Sequence, residues 1–408
     1  KDEATMLKRD FKPAEGVSNI ELFYDLIFVY CISVVTSLCS DIPSGFFDHG
    51  TWIIYMFSLS VILQIWLLTT LLMNRYGDRS LPETAGLFIN MFLLYFLANG
   101  VQTDWHETSM LFNLTWAGIL LNLALQWFIK LRSYTNIDED DRHIMTWSIS
   151  CLLVQAGIAA LAGFLPEMLS VATSWITLLF GMGVWMHSGL FRKKSARFSH
   201  LTERCALLTI IAFGEMVVGI STYMMKMSSI WFPIGVFALA VGLFLIFIFE
   251  HDHMLNHHAH SHGMTYLTIS TWLIVVISNF TVAVQYMPRT EIDAGPKNLY
   301  LAVCLVLYLL TSFLLSHFNK PEFRHSTRYV VGRVAVCIFI LVMTFVTAHN
   351  PAFTLSCHVI AVYAAFAHEW ILWYRGSRKA KANYGRSLGL DHERESDPSN
   401  TSRHGDKS

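Results

Sequence analysis

The chain has 408 residues, 54% of them hydrophobic and 14% charged, with a mean hydropathy of +0.44. Ordinary soluble domains carry about 25% charged residues, so the composition excludes that class and points to a polytopic membrane protein. A formal net charge of −1 offers nothing to a nucleic-acid backbone and excludes that partner.

The chain opens on a polar segment over 1–18, KDEATMLKRDFKPAEGVS. It has no apolar core and is not expected to act as a cleavable signal. A spanning helix needs about 20 mainly apolar residues. That rule predicts spans near 19–40, 51–73, 84–103, 110–130, 143–165, 169–190, 203–225, 230–250, 264–287, 298–318, 329–349 and 353–374. The reading is an all-α transmembrane helix bundle of about twelve spans over 19–374, with Pro166 and Pro351 dividing the two most closely spaced pairs. The residues from 375 to 408 are polar and cannot build a core, which predicts a disordered cytoplasmic tail. Seven cysteines are scattered without a C-x-x-C pair and read as small buried hydrophobes.

Lys and Arg concentrate on alternate connections. Lys8, Arg9, Arg75, Arg79, Arg132, Arg192, Lys193, Lys194, Arg324 and Arg378 fall on one side, whereas the other side offers Lys226, Arg289, Lys297 and little else. The positive-inside rule then predicts an integral plasma-membrane protein with both termini cytoplasmic. Twelve spans also invite a six-plus-six repeat. Spans six and twelve both end on a histidine near a basic cluster (His187, His368). Spans one and seven both carry an acid, Asp25 and Glu215, although Glu215 lies about a turn and a half deeper.

Carboxylates are costly in hydrocarbon and mark working interiors there. Glu21 and Asp25, at i and i+4, share one face of span one, and Arg204 and Arg333 are their candidate partners. First-turn acids also suit a helix dipole, so a structural role stands beside a functional one. In span seven, Arg204 and Glu215 are eleven residues apart, about 20° from eclipsed and about 16 Å along the axis. They can line one pathway, with Glu215 as a proton- or cation-exchanging acid or as a paired carboxyl that locks helices. Gly214 beside it would let a neighbouring backbone approach. His187, His368 and Glu369 are further candidates for a polar path. Polar amides such as Gln64, Asn122, Gln155 and Gln285 read mainly as interhelical glue, with a minority as cavity lining.

The segment EHDHMLNHHAHSHG carries His251, His253, His257, His258, His260 and His262. Such density binds divalent transition metals, but the spacing fits no closed structural site. The expectation is weak metal binding or a solvated His-biased loop. Phosphate-loop, dinucleotide, zinc-protease and nucleophile-elbow patterns are absent, so an ATP-driven machine is not expected.

ELFYDLIFVYCIS resembles the opening signature of the bacterial low temperature requirement A family. HLTERCALLTIIAFGEMVVGIS resembles that family's second signature, E-R-x-x-x-x-T-I-I-x-x-G-E. The resemblance covers spans one to seven. It implies a multi-pass bacterial membrane protein and points to Glu21, Asp25, Glu203, Arg204, Gly214 and Glu215 as the distinctive polar positions. The leading functional expectation is a secondary transporter or permease for a small solute or ion, with Asp25 and Glu215 as coupling groups. The alternatives are an ion or proton channel, or a membrane-embedded metal-responsive sensor or enzyme.

Overall fold

The computed structural model describes residues 16–40, 48–102, 105–135, 137–187, 196–224, 230–259, 263–287, 289, 292–323 and 327–387. Twelve long helices account for nearly all of them: α1 (Asn19–Ser40), α2 (His49–Tyr76), α3 (Leu81–Asn99), α4 (Trp105–Ser133), α5 (Glu139–Ala162), α6 (Glu167–His187), α7 (Phe198–Met224), α8 (Trp231–Phe249), α9 (Met264–Tyr286), α10 (Ala294–Leu315), α11 (Thr327–Val346) and α12 (Pro351–Ser387). Eleven are long and apolar enough, over their described residues, to cross a membrane. Hydrocarbon cannot satisfy backbone polar groups, so apolar runs of this length close their hydrogen bonds internally as helices. Their starts are marked locally. Asp48 and Asp138 cap the first turns of α2 and α5, accepting from the N–H groups of Thr51 (2.9 Å) and Asp141 (2.8 Å). Pro82, Pro233, Pro296 and Pro351 lie within the first three residues of α3, α8, α10 and α12, where their missing N–H costs no helix bond.

The helices pack as two equivalent halves. In the first, α1 lies on α2 and α3, α2 on α4 and α6, α3 on α4, α4 on α5 and α6, and α5 on α6. Raising every number by six reproduces the packing of the second half. Six is even, so corresponding helices run in the same direction, the arrangement of a parallel repeat. The seam between the halves is made by α1 and α2 against α7 and α9. The register of this repeat corrects the expected pairing of Asp25 with Glu215. Glu21 and Asp25 are the third and seventh residues of α1; His200 and Arg204 are the third and seventh of α7. Glu215, the eighteenth, has no such counterpart.

Two other expectations change. The tail does not leave the helix at 375, because α12 continues to Ser387. Its Lys, Arg and Ala residues favour helix, and at Gly376 a Cβ would stand 2.7 Å from the Phe323 ring, so the extension rests on the α10–α11 connection. Residues 388–408 lie outside the described residues. The His-rich segment is also not a plain loop. The chain leaves α8 through a π-helical turn, Glu250–Met254, after which Leu255 bridges Asn319. The Asn256 N–H donates to the Phe318 carbonyl (3.1 Å) and the Lys320 N–H to the Met254 carbonyl (2.9 Å).

Gly263 enters α9 at φ +76°, and a Cβ there would lie 2.5 Å from a Leu201 methyl and 3.0 Å from Ala196. The left-handed backbone alone costs an L-residue about 1–2 kcal/mol. Gly263→Ala is therefore expected to lower the thermal unfolding midpoint of the detergent-solubilised protein, whereas Gly157→Ala, in the interior of α5 with open space around its Cβ position, does not lower it.

Candidate functional site

The two lead helices of the halves meet through their matched positions. Arg204 of α7, fully buried, reaches Asp25 Oδ1 at 2.5 Å and Glu21 Oε2 at 3.5 Å. His200 Nε2 lies 3.3 Å from the same Glu21 oxygen. Position seven thus faces position seven and position three faces position three, acids on α1 and bases on α7. Helix α2 closes the third side. Trp66 Nε1–H donates to Asp25 Oδ1 at 3.0 Å, and its ring lies 5.8 Å from the Arg204 guanidinium carbon. Tyr24, beside Asp25, shares a 3.1 Å hydrogen bond with Thr69.

The outer end of this clasp is tied equally well. Glu21 Oε1 accepts from the Ser18 hydroxyl (3.0 Å), so the acid also caps its own helix. His200 Nδ1 lies 3.3 Å from the Asn74 amide nitrogen. The imidazole bridges its two neighbours, Nδ1 accepting from Asn74 while Nε2 faces the Glu21 carboxylate. Arg197 seals the same corner, its guanidinium donating to the carbonyls of Asn74 (2.5 Å) and Met73 (2.7 Å). Sequence reasoning nominated Glu21, Asp25 and Arg204 but missed His200, Trp66 and Asn74. Only His200 carried a signal: it stands four residues before Arg204, the same i, i+4 spacing as the two acids it faces.

Glu215 lies three turns further along α7 and is different in kind. It is only 3% exposed, its Oε2 has no hydrogen-bond partner and, unlike Glu21 and Asp25, it has no ion-pair partner among the described residues. A Cβ on Gly219, one turn on, would sit 3.7 Å from Glu215 Oε1, 3.2 Å from Gln285 Nε2 and 2.9 Å from the Thr281 methyl. Glu215 therefore faces α9 across Gly219. Gln285 Oε1 and the Tyr55 hydroxyl of α2, both buried, are likewise unpartnered. The close approach expected at Gly214 is found at Gly219 instead: Gly214 has nothing within 4 Å of its Cβ position, because it points off the packed face.

The remaining candidates separate. Glu369 of α12 is buried in an ion pair with Arg333 of α11, and Tyr329 accepts from Arg333 at 2.8 Å. His368 stacks on that tyrosine ring at 5.0 Å, so both residues belong to an α11–α12 lock away from the seam. Glu203 is exposed. The side chain of His187 lies outside the described residues, as do His260 and His262. Among the described residues no three His, Cys, Asp or Glu side chains converge as a metal cluster. His253 is stacked on Phe249, and His257 touches the His251 carbonyl (3.0 Å) and the Thr202 hydroxyl (3.2 Å).

A second ionic group was not foreseen. Lys130, at the end of α4, binds Asp78 and reaches Glu83 at 2.5 Å, and the Tyr134 hydroxyl donates to Asp78. Glu83 also accepts the N–H groups of Asp78 (3.0 Å) and Arg79 (3.2 Å), the latter residue at φ 55°. Partial burial works against the Asp78 carboxylate, but the bonds from Lys130 and Tyr134 outweigh it and hold its pKa below the usual range. The α2–α3 turn is thereby stapled to α4.

Removing one member of a buried ion pair leaves the other uncompensated, at about 3–5 kcal/mol. Arg204→Leu is expected to unfold the protein at markedly lower temperature or denaturant, and adding Asp25→Asn should recover most of that loss. A double variant no better than Arg204→Leu alone would show that the arginine acts through packing rather than charge.

The family model of the bacterial low temperature requirement A protein matches residues 16–367, which include α1 to α11 and the first part of α12. No curated protein and no solved structure matches the chain. With both signature segments meeting at one seam and the match running through both halves, the chain belongs to the bacterial low temperature requirement A family of multi-pass membrane proteins.

Proposed function

We propose that the protein is a secondary transporter for a small solute or ion, with Glu215 as its proton- or cation-exchanging group and the α1–α7 clasp as the joint between its halves. The observation that carries this reading is the buried carboxyl of Glu215, which has no ion-pair partner among the described residues, whose Oε2 accepts no hydrogen bond, and which lies across Gly219 from Gln285. In a bilayer interior such a group is stable only when it holds a proton or meets a cation or solute dipole. Asp25, by contrast, is held by Arg204 and Trp66, so its role shifts from coupling group to hinge lock.

The repeat supports the same reading. Parallel halves can rock about the seam that joins them, and this seam is closed at one end by charges and farther along by apolar residues around Glu215. Loading or unloading Glu215 changes the charge between α7, α9 and α2 and so biases which way the halves close. The clasp gives the two halves a shared ionic joint, because Arg204 serves both Asp25 and Glu21.

The test uses purified full-length protein in proteoliposomes containing a pH-sensitive dye, challenged with a panel of small solutes under an imposed pH gradient. The wild type is expected to give solute-dependent, saturable proton flux. Glu215→Gln keeps shape and removes the exchangeable proton; it should insert and fold while the solute-dependent flux is lost. Full activity of Glu215→Gln at every pH would remove Glu215 from coupling. Ohmic proton current without any solute would instead establish the channel reading.

A further inference from the structure

At the end of α8 the helix widens into the π-helical turn Glu250–Met254, a geometry that re-aims side chains and recurs at functional sites. Here it carries Glu250 and His251 against the end of α10. Glu250 is 8% exposed, and both its carboxylate bonds come from neutral donors: the Ser312 hydroxyl at 2.9 Å and the Asn319 amide at 3.3 Å. Glu250, His251 and Asn319 line a cavity of about 20 Å³ walled by Phe247, Leu255 and Leu315. That is room for one water-sized sphere.

Two buried atoms of the lining residues have no hydrogen-bond partner. One is His251 Nε2; the other is Oδ1 of Asn319, a residue only 3% exposed. His251 Nδ1 stands 3.0 Å from Asp252 Oδ1, so Nδ1–H donates to that carboxylate and Nε2 keeps the lone pair. Metal-binding histidines are oriented in this way, by a carboxylate on the opposite ring nitrogen.

We propose that Glu250, His251 and Asn319 form a binding site for one divalent transition-metal ion at the junction of α8 with the α10–α11 connection. The donors are one imidazole nitrogen, one carboxylate oxygen and one amide oxygen. This mixed set suits Zn²⁺, Mn²⁺ or Fe²⁺ better than the all-oxygen shells of Ca²⁺ and Mg²⁺ or the sulfur shells of Cu⁺. With three protein ligands, water completes the shell, and binding is of the exchangeable kind rather than a closed structural site. The ion would compensate Glu250 and add a clamp to the Leu255–Asn319 bridge, tying the second half together at the end where α7 meets α1. Two other histidines of the segment have other contacts: His253 stacks on Phe249, and His257 meets the His251 carbonyl and the Thr202 hydroxyl.

The experiment is calorimetric titration of Zn²⁺ into the full chain in nanodiscs, on a background in which His253, His258, His260 and His262 are replaced by Gln. One Zn²⁺ per chain is expected on that background. His251→Gln and Glu250→Gln should each weaken it at least about tenfold with the metal-free melting point unchanged, and Asp252→Asn, which frees the imidazole, about tenfold. Asn319→Asp replaces a neutral oxygen ligand by a charged one and should tighten binding. Absence of saturable Zn²⁺ binding on the background, or affinity unaffected by His251→Gln, would overturn the site. Should His251→Gln fail to fold, Asn319→Asp decides: tighter binding supports the site, and unchanged or weaker binding refutes it.

Discussion

The Arg204–Asp25 pair is the constraint from which the rest of the bundle follows. Both residues are fully buried, and an isolated charge at such a place in a bilayer protein is prohibitive without a partner and hydrogen bonds. Each helix therefore fixes the other's depth and rotation: α1 cannot slide or turn without exposing Asp25, nor α7 without stranding the guanidinium. Trp66 adds α2 to the same lock. Because α1 and α7 head the two halves, one ionic contact sets how the halves are aligned, and the repeated packing of six helices on either side needs little more than apolar surface.

Placing four polar residues at matched positions solves a problem of symmetry. A parallel repeat brings equivalent positions of its lead helices together, and identical acids there would repel. The chain resolves this by giving α1 the acids and α7 the bases, so the repeat survives in register while its chemistry is complementary. Since Arg204 serves both Glu21 and Asp25, and His200 spans from Glu21 to Asn74, the clasp can lose one contact and keep the others. A joint with several partial partners can move; a single bidentate pair would lock it.

What could be read from the sequence follows the range of the interactions involved. The spans were legible because hydrocarbon imposes its rule locally on every residue of a helix. Glu21, Asp25, Arg204 and Glu215 stood out because charge inside such a run is self-announcing. Their partners did not. Trp66 looks like any aromatic of an apolar helix, and nothing in the segment around Lys130 shows that it meets Asp78 and Glu83, since that pairing spans about fifty residues. Glu250 did not stand out from the histidine tract it adjoins, because its partners Ser312 and Asn319 are sixty-two and sixty-nine residues away. The error at Gly214 is of another kind. Adjacency to Glu215 suggested a crossing point, but helical geometry puts the neighbour of Glu215 one turn on, at Gly219.

Sorting the buried charges by partner separates structure from chemistry. Asp25 and Glu21 have Arg204, Glu369 has Arg333, and Asp78 and Glu83 have Lys130. Two buried acids stand outside this scheme. Glu250 receives only neutral donors and borders a cavity large enough for one small ion or water. Glu215 has no ion-pair partner among the described residues and lies across Gly219 from Gln285. A folded membrane protein that needed carboxyls only as glue would pair them all, as this one does at every other buried site named here. The two exceptions sit in different places, one at the end of α8 and one inside the seam. The two proposals accordingly give them different occupants: an exchangeable divalent ion at the end of α8, and a proton, ion or solute between the halves.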